Sequence, residues 1–196
     1  MPPRSAQETA RRIFNAIPTE PQARGQPLYY IDLNSISPAS ATKREHLFTS
    51  NPNIILIDGG IIGGVPYDKG CSEGKPNWHC PSLIVSGPKR LPDLELSKVL
   101  NIHHLDKPIG IATGLKMCYG VTTKGLYSLA IESFATAHEL GVLPELRSYL
   151  ERYSPSILKL AENGLVTMPP KAYRWVHEML EIADTMAESG GFDRTL

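Results

Sequence analysis

The sequence predicts an α/β fold that gives way to an all-α one, and two observations carry that prediction. Short runs of apolar, β-branched and aromatic residues (LYYIDL, NIILID and SLIVSG) occupy the first half, each separated from the next by enough chain for a crossover. From about Gly110 onward such runs stop, and apolar residues recur at helical spacing instead. The expected division is an α/β region over residues 1–108 and an all-helical region over 109–196.

Taken in order, SAQETARRIFNAI opens with Ser5 and, three residues on, Glu8, the pattern of a capping box. Ala10, Ile13, Phe14 and Ile17 then share one helical face. After the loop PTEPQARGQP, residues 28–33 read as a buried strand that stops at Asn34-Ser35. Ser37-Pro38 has the form of an N-cap followed by proline in the first helical turn, with a helix running on through Ala41 and His46. Residues 53–58 and 82–87 read as the second and third strands. Helices are expected over 113–138, 144–153, 155–163 and 169–188. In the last of these, Trp175, Met179, Ile182 and Met186 repeat at 4-3-4 spacing and form one apolar stripe.

Composition narrows the function classes. The 196 residues are 41% hydrophobic and 20% charged, with a formal net charge of +0, so a general attraction to nucleic acid or to an anionic membrane is not expected. No apolar run approaches the ~20 residues of a membrane span, and the N-terminus lacks the apolar core of a signal peptide. Three cysteines, an odd number, suit a reducing compartment better than a disulfide framework, which makes the cytoplasm the expected location.

Four segments have the composition of a site. IDLNSISP ends a strand on Asp32 and offers small polar residues at a helix start, where anionic groups are favoured; an ordinary strand-to-helix turn has the same form. DGGIIGGVP, residues 58–66, places four glycines after the second strand, as a loop that could bring its backbone close to a ligand or as a plain turn. YDKGCSEGKPNWHCP holds Cys71, His79 and Cys80, but their spacing fits no standard zinc site, so a surface insertion and no metal are expected. GIATGLKMCYGVTTKG carries Lys116 and Lys124. A helix there puts Lys116, Tyr119, Gly120, Thr123 and Tyr127 on one face, with Gly120 leaving space over the Lys116 ammonium. A partly desolvated lysine loses proton affinity and can serve as general acid/base, whereas a snorkelling surface lysine has the same local sequence.

In this order, the segments resemble the β-hydroxyacid dehydrogenase superfamily, which includes 6-phosphogluconate and 3-hydroxyisobutyrate dehydrogenases. The motifs are Asp32, Asn34, Ser35 and Pro38; Asp58 with Gly63 and Gly64; and Gly110 leading into the helix of Lys116. KAYRWVHEMLEIADTMAESG and GLKMCYGVTTKG look most like the subgroup with a phosphogluconate dehydrogenase NAD-binding putative C-terminal domain. The resemblance implies the remnant of a Rossmann-like sheet followed by a helical domain of the 6-phosphogluconate dehydrogenase C-terminal type. It implies NADP or NAD as cofactor, a small hydroxy acid as substrate, and a homodimer with no nucleic-acid or membrane partner. Lys116 would be the catalytic acid/base, Gly63 and Gly64 would hold the substrate carboxylate, and Asn34 and Ser35 would lie along the nicotinamide.

The chain departs from the pattern in three places. Ile62 stands where serine is common, and Gly120 where asparagine is typical, leaving Tyr119, Thr123 and Lys124 to complete the substrate site. No G-x-G-x-x-G fingerprint occurs, so the N-terminal Rossmann half reads as largely missing. The expected function is therefore an NAD(P)-dependent oxidoreductase represented by a shortened chain. The alternative is a non-catalytic helical dimerisation or binding module derived from the same family. An imine reductase shares the architecture, but Lys116 argues against it.

Overall fold

The computed structural model describes residues 5–20, 25–72 and 75–192, except for the side chains of 71–76. Helix α1 (Ala6–Ala16) leads to strand β1 (Leu28–Asp32), helix α2 (Pro38–Thr49) and strand β2 (Ile54–Ile62). A hairpin of β3 (Tyr67–Ser72) and β4 (Lys75–His79) follows, then β5 (Ser82–Ser86), a short helix α3 (Leu94–Val99) and β6 (Ile102–His104). The rest is helical: α4 (Ile111–Glu139), α5 (Leu143–Tyr153), α6 (Pro155–Thr167), a 3₁₀ turn (Pro169–Lys171) and α7 (Ala172–Gly190). An α/β portion followed by helices is thus the architecture.

The four-stranded sheet has the order β1-β2-β5-β6 and is mixed. β1 runs parallel to β2 through the α2 crossover, and β5 parallel to β6 through α3, but β2 and β5 are antiparallel. A helical crossover between the second and third predicted strands is therefore corrected to the β3–β4 hairpin, which projects with Tyr67 and Trp78 exposed. The run LYYIDL is likewise not a buried central strand. It forms the sheet edge, half-buried up to Asp32, where burial becomes complete.

Register places three polar residues in one row across the sheet. Asp32 pairs with Asp58, and Asp58 pairs with Ser86. All three are at most 4% exposed. On one face, α1 and α2 pack Ala10, Ala41 and Phe48 on Ile54 and Leu56, with Phe14 and Tyr30 edging the Phe48 ring at centroid distances of 6.2 and 5.1 Å. The predicted capping box at Ser5 does not form: the Ser5 side chain makes no cap bond, and its carbonyl instead accepts from Thr9 Oγ1 at 2.9 Å. Ser37 caps α2 as expected, accepting from the Ser40 amide at 3.2 Å.

Helix α4, about 44 Å long at 1.5 Å per residue, lies against β2 and β5 and carries α5, α6 and α7 on its remaining length. It starts at Gly110, whose φ of +96° and 3.2 Å approach to the Pro38 carbonyl exclude a side chain. The predicted stripe on α7 faces inward, with Ile182 2% exposed. No helix among the described residues is long and apolar enough to cross a membrane.

Candidate functional site

The site is built where α4 meets the polar row of the sheet. An α-helix leaves its first amides without intrahelical partners, and here the sheet supplies acceptors for three of them. Asp58 Oδ2 accepts from the amides of Gly110 at 3.0 Å and Thr113 at 3.1 Å, and from Ser86 Oγ at 3.1 Å. Ser86 Oγ in turn accepts from the Ala112 amide at 3.0 Å. Thr113 Oγ1 donates to the Ile36 carbonyl at 2.7 Å, tying the same helical turn to the β1–α2 loop. Burial pushes the Asp58 carboxyl above its usual range; the Thr113, Ser86 and Gly110 hydrogen bonds oppose that rise, and neighbouring Asp32 reinforces it.

Asp32 is committed elsewhere. It forms a buried ion pair with Arg44 of α2 and accepts from the Asn34 amide at 3.0 Å and from the Asn34 side chain. The space between Asp32, Arg44 and Asp58 has no room for a water. The two aspartates are therefore structural rather than a solvent-reaching acid pair.

With the first turn of α4 fixed, Lys116 lands directly over the middle of β2. A Cβ added at Gly60 would stand 2.9 Å from Lys116 Cβ and 3.0 Å from its Cδ, so the aliphatic stem lies on the bare glycine backbone. Gly59 is bare for a similar reason, since a Cβ there would meet Leu33 Cδ2 at 2.8 Å and Val85 Cγ1 at 3.2 Å. Burial lowers the Lys116 ammonium from the ordinary lysine range; Glu178 opposes this, Lys124 adds to it, and Asp32 opposes it. Among the described residues no hydrogen bond or ion pair engages that ammonium.

The other predicted site residues separate into those near this centre and those engaged in packing. The glycine-rich loop expected over 58–66 is instead the second half of strand β2, which runs to Ile62. Only Gly63 and Gly64 lie beyond the strand, both exposed, and Gly63 takes a φ of +116°. They sit about 10–13 Å along the chain from Gly60 at ~3.3 Å per residue. Gly120 does not leave space over the lysine: Ile182 Cδ1 of α7 lies 2.9 Å from where its Cβ would be. Lys124 is ion-paired with Glu178 and lies 5.0 Å from the Trp175 ring centroid. Tyr119 is 46% exposed, and Thr123 Oγ1 is returned to the helix carbonyls of Tyr119 and Gly120. Asn34 and Ser35 lie half-buried just past β1.

Residues that local reading missed are Gly60, Ser86, Glu178 and Glu181. Gly60 was in view as part of a glycine cluster, but its partner is 56 positions away in sequence. Glu181, on α7, accepts from the Ser37 amide at 2.6 Å and from Ser40 Oγ at 3.1 Å, and carries no local signal.

Residues 137–195 match a family model described as a domain of unknown function, DUF1932. Among solved structures, a conserved protein of unknown function (MTH1747), described as structurally similar to 3-hydroxyacid dehydrogenases, aligns with a TM-score of 0.59 at 25% identity, over 95% of this chain and 65% of its own. The chain shares the fold of that protein. A conserved hypothetical protein from Sinorhizobium meliloti 1021 aligns with a TM-score of 0.62 at 22% identity, over 98% of this chain and 60% of its own. The 3-hydroxyisobutyrate dehydrogenase of Salmonella typhimurium shares the fold at a TM-score of 0.54 and 18% identity, over 84% of this chain and 58% of its own. The chain thus spans less than two thirds of the length of these structures. No curated protein sequence matches it significantly.

The dinucleotide that the sequence resemblance implies can be tested against the residues present. Its diphosphate is suited to a helix N-terminus that offers free amides. Helix α2, which follows β1, and helix α4, which starts against Asp58 in the middle of β2, are both closed by protein carboxylates, α2 by Glu181 and α4 by Asp58. The described residues therefore do not fit the diphosphate half of the cofactor at either place.

Proposed function

We propose that this chain provides the acid–base and substrate-holding part of an NAD(P)-dependent oxidoreductase acting on a small hydroxy acid, with Lys116 as the proton-transfer group. The observation that carries this reading is the seating of Lys116. Its stem is pinned on Gly60, its helix start is clamped by Asp58 and Ser86, and its ammonium is depressed by burial and has no hydrogen-bond or ion-pair partner among the described residues. A held, partly desolvated amine of lowered proton affinity can exchange a proton with a substrate hydroxyl near neutral pH. In its charged form it stabilises negative charge on the oxygen. The nicotinamide, when bound, would accept or supply the hydride; no step of that transfer is assigned to residues of this chain.

In this proposal Gly63, Gly64 and Tyr119 face the substrate, while Gly120 and Lys124 serve by holding α7 on α4. Asn34 and Ser35 form the edge toward the nicotinamide. The α/β region over 1–108 and the helical region over 109–196 act as two units with the site at their junction. A homodimer through the helical unit and a cytoplasmic location complete the proposal.

The test is competitive lysine acylation of the full chain across pH, read residue by residue. Lys116 is expected to react faster than the exposed lysines at pH 7–8, and short hydroxy acids are expected to protect it selectively. A Lys116 that reacts no faster than exposed lysines, and is not protected, would remove the proposal. The closed N-termini of α2 and α4 favour the second reading, a binding module without redox chemistry. NADPH fluorescence separates the two: no binding by the full chain supports the module, and binding that survives in Lys116→Ala supports the oxidoreductase.

A further inference from the structure

The Ile36–Ser37 peptide is gripped on both sides by the helical half of the molecule. Its carbonyl accepts from Thr113 Oγ1 of α4 at 2.7 Å, and its N–H donates to Glu181 Oε2 of α7 at 2.6 Å. The same Oε2 accepts from Ser40 Oγ at 3.1 Å. Ile36 and Ser37 are 2% and 3% exposed, so the gripped peptide is buried and its groups must be hydrogen-bonded, while the Glu181 carboxylate that accepts from it is half-buried. Glu181 also puts its negative charge at the N-terminus of α2, where the helix dipole favours it.

What sets Glu181 in place is its neighbour Ile182, whose Cδ1 fills the surface left bare by Gly120 on α4. One turn earlier on α7, Glu178 is paired with Lys124. The helix that presents Lys116 and the helix that presents Glu181 are thus locked together, and the second reaches across 144 positions of sequence to the β1–α2 loop.

We propose that Glu181 is the positioning residue of the Asn34–Ser35 edge, orienting it relative to Lys116 by clasping the Ile36–Ser37 peptide from α7. The functional meaning of that edge rests on the reading of Lys116 given above. The clasp itself does not, and it is tested without any turnover.

The test is amide hydrogen exchange of the full chain at single-residue resolution, comparing wild type with Glu181→Ala, Glu181→Gln and Glu181→Asp. In Glu181→Ala the Ser37 amide is expected to exchange about tenfold faster or more, from loss of a charged hydrogen bond to a buried amide. The Asn34 amide, which Glu181 does not touch and which donates to Asp32 at 3.0 Å, is expected to speed up with it. Amides in the middle of β2 and at Thr113 are expected to stay within about threefold. Glu181→Gln keeps an acceptor oxygen and is expected to restore protection. Glu181→Asp, which retracts the carboxylate by one methylene, gives a milder form of the alanine pattern and serves if the alanine variant does not fold. Unchanged exchange at Ser37 overturns the clasp, and a change at Ser37 without one at Asn34 overturns the positioning role. Equal loss across β2, or a glutamine variant that behaves like alanine, also overturns the proposal. A Lys116 that proves ordinary in the acylation test would leave these outcomes untouched.

Discussion

Gly60 and Lys116 are a matched pair: the lysine stem occupies the volume that any side chain at position 60 would need, with Cβ and Cδ at 2.9 and 3.0 Å from that point. The nearest atom in conflict, Cβ, is bonded to the helix backbone and cannot swing away as the end of the side chain could. Gly60→Ala is therefore expected to destabilise by about 1–3 kcal/mol through overpacking. In urea denaturation, Gly60→Ala combined with Lys116→Gly, which removes both Cβ and Cδ, should cost clearly less than the sum of the two single changes. Two fully additive penalties would show that the stem does not rest on Gly60.

Lys116 carries a second expectation, on pH. Its proton affinity is lowered by burial, so between that lowered pKa and the ordinary lysine range the unfolded chain binds more protons than the folded one. Stability should then rise with pH through that window. Lys116→Met, which keeps the apolar stem, is expected to abolish the rise and to leave the chain more stable at neutral pH. Chemical denaturation at stepped alkaline pH gives the comparison, and identical slopes for both proteins would contradict the burial of the charge.

Asp58 behaves in the opposite sense. Its folded-state pKa is raised, chiefly by burial, so its favourable contribution is complete below the ordinary carboxylate range and declines as pH rises through the raised value. Asp58→Asn retains an acceptor for Gly110 and Thr113 and should flatten that decline. Asp58→Ala leaves those amides and the Ser86 hydroxyl without an acceptor and should cost about 2 kcal/mol or more. Equilibrium unfolding at acid to neutral pH reads both effects.

Gly120 is the contact point of α4 and α7. Adding a methyl there drives it to 2.9 Å from Ile182 Cδ1, the end of a buried side chain that must shift, so Gly120→Ala should not deliver the roughly 1 kcal/mol that alanine's higher helix propensity would give. Ile182→Val shortens the opposing side chain and should relieve the alanine variant while slightly weakening the wild type. Thermal unfolding of the four proteins tests this, and a stabilising Gly120→Ala would refute the packing role.

The legible part of the fold was that encoded by near neighbours. The helices of the second half, the Ser37-Pro38 start of α2 and the inward stripe of α7 through Ile182 follow from periodicity and capping, which act over a few residues. The same holds for the order of motifs around Asp32, Asp58 and Lys116. Runs of four to six residues such as NIILID reveal a strand but not its direction, so the antiparallel β2–β5 pairing and the hairpin between them escaped notice. The short strand β6 was likewise not among the expected strands.

What the sequence by itself determined is therefore the change from an α/β half to a helical one and the position of Lys116 near the start of α4. What only the tertiary structure decided is why the glycines stand where they do: Gly59 and Gly60 under Leu33, Val85 and Lys116, and Gly120 under Ile182. The physical reason is that a glycine records the absence of space, and the atom that takes the space lies tens of residues away. Glu181 is the extreme case, since no local pattern marks a carboxylate that caps a helix beginning 143 positions earlier, and only the packing of α7 on α4 brings it there.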